Sequence, residues 1–271
     1  MPVKKDASGR RSVEAEVEVR GTPEEIWQAI ATGPGISSWF VPSEVEPREG
    51  GAAVSHFGPG NSMDSVGVIR TWEPPRRFIV ETQEGLGPVA TEWTVETRSG
   101  GTCVVRVVHS WFASSDDWDG QFEGHEHGWR AFFNILRLVL EHFRGEPCSA
   151  FQLMAVAPEP KTDAWNALAA PLGFVGAAEG KRVNAPAGAP SVGGQVEKVG
   201  PSEFPELLLR LDEPAPGLAH FFALPMGGKV YMIVRVYLYG SRAAAVAARE
   251  EGVWQSWIGA RFPAMAEDAP G

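Results

Sequence analysis

A chain of 271 residues is long for one hydrophobic core, so two domains of ordinary size are expected, and a 44% hydrophobic content is enough to fill them. The formal charge of -10 argues against nucleic-acid phosphate or an anionic membrane as the main partner, since either favours a clustered basic face. No apolar run reaches the roughly 18 residues of a membrane span, the N-terminus lacks a signal-peptide core, and Cys103 and Cys148 are the only cysteines. The expectation is a cytoplasmic protein with reduced thiols and no membrane insertion.

The only basic cluster, Lys4, Lys5, Arg10 and Arg11, is read as a solvated, disordered tail over residues 1–11. From Ser12 to Val19 the residues Val13, Ala15, Val17 and Val19 alternate with Glu14, Glu16 and Glu18, the period of a half-buried antiparallel strand. Thr22-Pro23-Glu24-Glu25 supplies a cap, a proline at the first helical position and a glutamate at the third, and opens a helix through Ile26, Trp27 and Ile30. Gly33-Pro34-Gly35 ends it. A second helical turn, Ile36 to Phe40, leaves Trp39 and Phe40 adjacent.

Strand-like runs follow at Ala52 to Phe57, Ser65 to Trp72, Arg77 to Thr82, Thr91 to Thr97 and Thr102 to Phe112. Gly- and Pro-rich turns join them, and such short connections make the sheet antiparallel. From Gly120 to Phe143 the residues Phe122, Trp129, Phe133, Leu136, Leu140 and Phe143 recur at helical spacing, widened by Leu138 and Val139. This predicts one long amphipathic helix laid across the sheet. A gap between sheet and helix would be a concave apolar cavity, with Thr91, Trp93, Val95, Val105, Val107, His109 and Trp111 on its sheet side.

The second half repeats this order weakly. Phe151 to Val156 reads as a strand, and Ala157 to Leu168 matches Arg20 to Ile30, with Trp165 in the place of Trp27. Gly194 to Val199 and Gly227 to Val236 read as strands. Arg242 to Phe262 reads as a last helix, its stripe made by Val246, Val253, Trp254, Trp257 and Ile258. Ala185 to Gly194 is expected to be a soft loop. The expected division is a domain over 12–146, a degenerate second copy over 147–265 and a tail over 266–271.

In this order, residues 12 to 143 resemble the START-like (SRPBCC) superfamily, and within it the bacterial homologues of the heat-shock-protein-90 ATPase activator. The resemblance rests on the opening strand with Thr22-Pro23-Glu24-Glu25-Ile26-Trp27, Trp39-Phe40, Gly50-Gly51, Gly67-Val68-Ile69, Pro74-Pro75-Arg76-Arg77-Phe78, Thr91-Glu92-Trp93, Gly101-Thr102, His109-Ser110 and Gly128-Trp129. It implies an α+β class of tandem helix-grip domains, each a curved antiparallel sheet gripping a long C-terminal helix. It does not imply a reaction, because one fold carries many functions. The second half departs from the pattern, with Tyr237-Leu238-Tyr239 where the first has His109-Ser110.

Few constellations point to chemistry. His125 and His127 diverge by about 200° on a helix and cannot share one ion, so a polar helix start is the preferred reading. A two-His site of His109 and His125 with Asp116 or Asp117 has no spacing that demands it. No nucleophile elbow, phosphate loop or dinucleotide fingerprint occurs. His109 on an apolar strand face could orient a ligand or act as a base, but a core histidine bonded to a neighbour is the simpler reading. Trp39, Phe40, Phe57, Trp93, Trp111, Trp129 and Phe133 line either a cavity or a closed core.

The first expectation is therefore a non-catalytic protein that binds a small hydrophobic molecule, lipid or polyketide-like, through Trp39, Phe40, Phe57, Trp93, His109, Trp111, Trp129, Phe133 and Leu136. No metal and no cofactor are expected. The alternatives are a co-chaperone-like module whose partner is a chaperone or other protein, and a polyketide cyclase-like or hydrolase-like enzyme using His109.

Overall fold

A computed structural model describes residues 4–5, 9–58, 63–84, 87–112, 119–158, 160–226 and 228–262, with side chains for all of them except 84, 112, 119–127 and 226. The chain forms two compact units, Met1–Gly145 and Glu146–Gly271.

The first unit runs β1 (Lys4–Lys5), β2 (Arg10–Arg20), α1 (Pro23–Ala31), α2 (Gly33–Ser37), β3 (Ser43–Val45), β4 (Ala52–His56), β5 (Asp64–Glu73), β6 (Arg77–Glu84), β7 (Gly87–Arg98), β8 (Thr102–Phe112) and α3 (Asp119–His142). Its eight strands make one sheet in the order β1-β2-β8-β7-β6-β5-β4-β3, every pairing antiparallel. Alternation in β2 works as expected: Val13, Ala15 and Val19 are buried, while Glu16 and Glu18 face solvent. The helix α3 packs on β2, and the burial of Phe133, Ile135, Leu136, Leu138, Val139, Leu140 and Phe143 marks its core face.

The outer face of this sheet carries charge instead. Arg106 pairs with Glu16 at 3.0 Å, Arg77 with Glu92 at 2.5 Å and Arg70 with Glu81 at 2.7 Å, each across neighbouring strands. Pairs of this kind contribute little stability individually and mainly fix which face meets water. The basic tail differs from expectation. Lys4 and Lys5 form β1 on β2, Lys4 pairs with Glu14, and Arg10 donates to Ser110 Oγ at 2.8 Å, so the tail's charges find partners on the sheet.

The capping box at α1 is complete: Thr22 Oγ1 accepts from the Glu25 amide at 3.3 Å, and Glu25 Oε2 accepts from the Thr22 amide at 2.9 Å. The bond from the Thr22 amide foremost, and then the charge and hydrogen bond of Arg144, hold the Glu25 carboxyl below its ordinary range. Arg144, just past α3, donates to Glu25 Oε2 at 2.9 Å and to the Arg20 carbonyl at 2.6 Å. It ties the end of the unit to the junction of β2 and α1.

The second unit runs β9 (Cys148–Ala157), α4 (Lys161–Ala169), β10 (Arg182–Asn184), β11 (Gly193–Val199), β12 (Glu206–Glu213), β13 (Gly217–Met226), β14 (Lys229–Tyr239) and α5 (Ala243–Arg261). Its sheet has the order β10-β11-β12-β13-β14-β9, again antiparallel throughout. The helix α5 packs on β9 and β14. Its stripe differs from the expected one at Val253, which is 44% exposed, while Glu250 is buried. Val253 stands about 100° around the helix from Trp254, at the edge of the buried arc. The loop expected to be soft is tied by backbone bonds from Ala185 to Val192 at 2.8 Å and Ala189 to Pro186 at 3.2 Å.

Candidate functional site

The site residues come together between α2, the sheet and the middle of α3. The α1–α2 corner places the first two: a side chain at Gly35 would put Cβ 1.9 Å from the Gln28 carbonyl, so only glycine lets the corner close. Behind it, Trp39 is 1% exposed and its indole donates to the Ala29 carbonyl at 2.8 Å. Phe40 is left pointing at α3.

Strands supply the opposite wall. On β7, Trp93 meets Trp39 edge-on at 6.1 Å and stacks on Phe78 at 5.9 Å. On α3, Trp129 and Phe133 lie one turn apart. Trp129 lies parallel to Phe40 at 5.2 Å and 9°, and meets Trp93 edge-on at 5.1 Å. Phe133 touches Trp39, Trp93 and Trp129 at 5.8 to 6.4 Å. Phe57 meets Phe40 edge-on at 5.7 Å, and Leu136 lies fully buried a turn below Phe133. Such edge-on and offset contacts are the arrangements that ring quadrupoles favour.

Burial is graded through the cluster. Trp39, Trp93, Phe133 and Leu136 form a buried floor. Phe40, Phe57, Trp129, His109 and Thr91 keep intermediate exposure and form a mouth.

His109 is the polar centre of that mouth. It sits directly across the ladder from Thr91 and from Val13. Its Nδ1 lies 2.9 Å from Thr91 Oγ1, and its Nε2 accepts from the Trp129 indole N–H. An indole nitrogen only donates, so Nε2 must present its lone pair and Nδ1 must carry the proton that Thr91 receives. The bond to Trp129 therefore selects the neutral Nδ1–H tautomer. The same bond occupies the lone pair that a general base would use.

Trp111 lies two residues beyond His109 on the same strand face, buried at 3% exposure beside Val89 and Arg11 in the ladder. Sequence reasoning passed over Phe132, whose ring is 4.3 Å from Phe40. Its spacing of three from Trp129 was the available signal. It also passed over the Thr91 hydroxyl as a partner for His109, which depends on cross-strand register. The side chains of Phe122, His125, Glu126 and His127 and the residues Asp116, Asp117 and Trp118 lie outside the described residues. Among the described residues no group of His, Cys, Asp or Glu has the geometry to hold a metal ion, and no helix is long and apolar enough to cross a membrane.

An antiparallel sheet holding a long C-terminal helix, with aromatic side chains between them, defines the helix-grip class of α+β domains. Residues 20–141 match the family described as Activator of Hsp90 ATPase homolog 1-like protein, and the first unit belongs to that family within the SRPBCC superfamily. No curated protein matches the chain.

Solved structures with similar folds include CalU16 from Micromonospora echinospora, 20% identical over 52% of this chain and 83% of its own, with a TM-score of 0.41. The di-domain ARO/CYC BexL from the BE-7585A biosynthetic pathway is 11% identical over 96% of this chain and 100% of its own, with a TM-score of 0.46. DynU16, a putative protein of the dynemicin biosynthetic locus, is 14% identical over 92% of this chain and 97% of its own, with a TM-score of 0.42.

Proposed function

We propose that the first unit is a non-catalytic binding module that holds a small apolar molecule between its sheet and α3, against Trp39, Phe40, Phe57, Trp93, His109, Trp111, Trp129, Phe133 and Leu136. The observation that carries this reading is the graded burial of the aromatic cluster. Rings that serve only as core are driven to full burial, because each hides about 150 to 250 Å². Here Phe40, Phe57 and Trp129 stay part-exposed above a sealed floor, with His109 and its partner Thr91 among them. The second unit has a structural role in this reading. The setting is the cytoplasm, where the free thiols Cys103 and Cys148 remain reduced.

The test is native mass spectrometry of the full chain purified from its own host, followed by solvent extraction. A stoichiometric apolar molecule, absent from a folded Phe40→Ala variant, is the expected result. A bare mass together with no thermal shift from a panel of lipids and aromatic molecules overturns the reading.

A protein-interaction module is favoured by one separate observation. On the outer face of the same sheet Val66 is 61% exposed, Val68 37% and nearby Met63 39%, an aliphatic patch amid charge. Chaperone capture by the full chain, lost in Val66→Asp, would move the assignment to that reading.

A further inference from the structure

The mouth of the aromatic cluster is filled by the chain's own Trp129, and the manner of filling describes what else would fit. The indole makes two kinds of contact there. Its face lies 5.2 Å from the Phe40 ring at an interplanar angle of 9°, and its rim N–H donates to His109 Nε2. A flat aromatic surface and a proton donor at its edge are thus both satisfied by one side chain.

The polarity of that second contact is fixed from behind. Thr91, opposite His109 in the ladder, takes the Nδ1 proton at 2.9 Å and holds the ring so that the Nε2 lone pair faces the mouth. A carbonyl or ether oxygen offers no proton to that lone pair, and a carboxylate repels it. A hydroxyl or N–H on an aromatic rim matches it.

Room for exchange is at hand. Trp129 keeps intermediate exposure, and among the described residues nothing lies within 4 Å of where a side chain at the preceding Gly128 would stand. The floor of Trp39, Trp93 and Phe133 is buried and closed, so the indole's place is the accessible part of the site.

We propose that the Trp129 indole is a resident stand-in for the ligand. The ligand class selected here is a planar aromatic molecule with a hydroxyl or N–H on its rim, which takes the face of Phe40 and the Nε2 acceptor of His109 when Trp129 swings out. This rests on the binding reading above and deepens it. His109 is the specificity-determining residue, Thr91 positions it, and Trp129 competes with the ligand for both contacts. The competition lowers apparent affinity by the fraction of molecules in which the indole is seated.

The test uses the full chain and two probes of nearly equal size, 2-naphthol and 2-methoxynaphthalene, with dissociation constants from calorimetry. It also follows the indole N–H resonance of Trp129, assigned by its loss in Trp129→Phe. One hydrogen bond gained to a neutral acceptor corresponds to about tenfold in affinity, so 2-naphthol is expected to bind about tenfold tighter than its methyl ether. The Trp129 resonance is expected to shift on binding. Trp129→Phe, which keeps a ring but removes the competing donor, is expected to tighten 2-naphthol binding several-fold. His109→Phe is expected to erase the preference between probes, as is Thr91→Val, the milder variant should the first fail to fold.

Equal affinity for the two probes, or binding that leaves the Trp129 resonance unmoved, overturns the stand-in proposal while the binding reading survives. Failure of both probes to bind the native chain and Trp129→Phe overturns the stand-in proposal, and with a bare native mass the binding reading falls too.

Discussion

The two units share a plan of strand, short helix, antiparallel strands and last helix, the second with fewer strands and no counterpart of α2, and differ in what fills the space beneath the last helix. In the first, rings of Trp39, Phe40, Trp93, Trp129 and Phe133 meet edge-on or, for Phe40 and Trp129, in parallel around a histidine, and the outermost stay part-exposed. In the second, Leu207, Leu209, Val234, Val236 and Leu238 close against Phe221 and Trp254, all buried. Branched aliphatic side chains interdigitate and leave little to displace. Flat rings set edge to face can be exchanged for another flat ring. On the proposed reading, a shared frame serves as a binding site or a filler according to its inner residues.

Exchanging the central indoles gives the largest test of that contrast. Trp254→Ala and Trp93→Ala are each expected to cost about 3 to 5 kcal/mol in chemical denaturation. Only Trp93→Ala is expected to weaken ligand binding as well. Equal binding loss in both variants would erase the distinction between the units.

Alkaline pH sharpens the contrast next. Burial pushes the Cys148 thiol, in the second unit, up to about 12 from an ordinary 9.0. The folded state keeps that proton while the unfolded state loses it, so stability is held below about pH 9 and lost as pH rises toward about 12. Burial raises the phenols of Tyr237 and Tyr239 as well, which adds the same sign. Denaturation curves against pH should show a falling alkaline arm on the order of a few kcal/mol, shallower in Cys148→Ala.

A smaller effect is expected at the helix starts. The first unit's α1 has the Thr22 cap, whereas α4 begins at Pro160 with no side-chain cap. Thr22→Ala should therefore cost about 1 kcal/mol, and Lys161→Ala, at the opposite helix start, should cost less. Smallest of all, Arg70→Ala on the outer face should change stability by less than about 1 kcal/mol, and less still in high salt.

Much of this was legible in the amino-acid order, for reasons that particular residues make plain. Val13 to Val19 alternate because one face of β2 is buried and the other wet, and the spacing of Trp129, Phe133 and Leu136 places them on one side of α3. Where burial takes both faces, the period disappears. Leu207, Leu208 and Leu209 are all buried, and β12, with its neighbour β13, was not anticipated. The aromatic members of the site could be listed from their positions on helix and strand. The bond between Thr91 and His109 could not, because it follows from a register set by the whole ladder. Val253 was misplaced because a residue at the rim of a helical arc goes in or out according to the partner's width.

Arg144 closes the first unit by joining the last turn of chain to the Arg20 carbonyl and Glu25 carboxylate, residues on the far side of its sequence. The family match stops at residue 141, short of this clasp. A fragment of residues 1–141, ending where the match ends but keeping β2, would keep every ring of the site and lose the buckle. Its ends would fray more readily, because nothing would then offset the entropy lost in holding closed a loop as long as the unit. The natural place to sever the chain is thus after Gly145, and a shorter piece should unfold at a lower denaturant concentration while presenting an unchanged aromatic mouth.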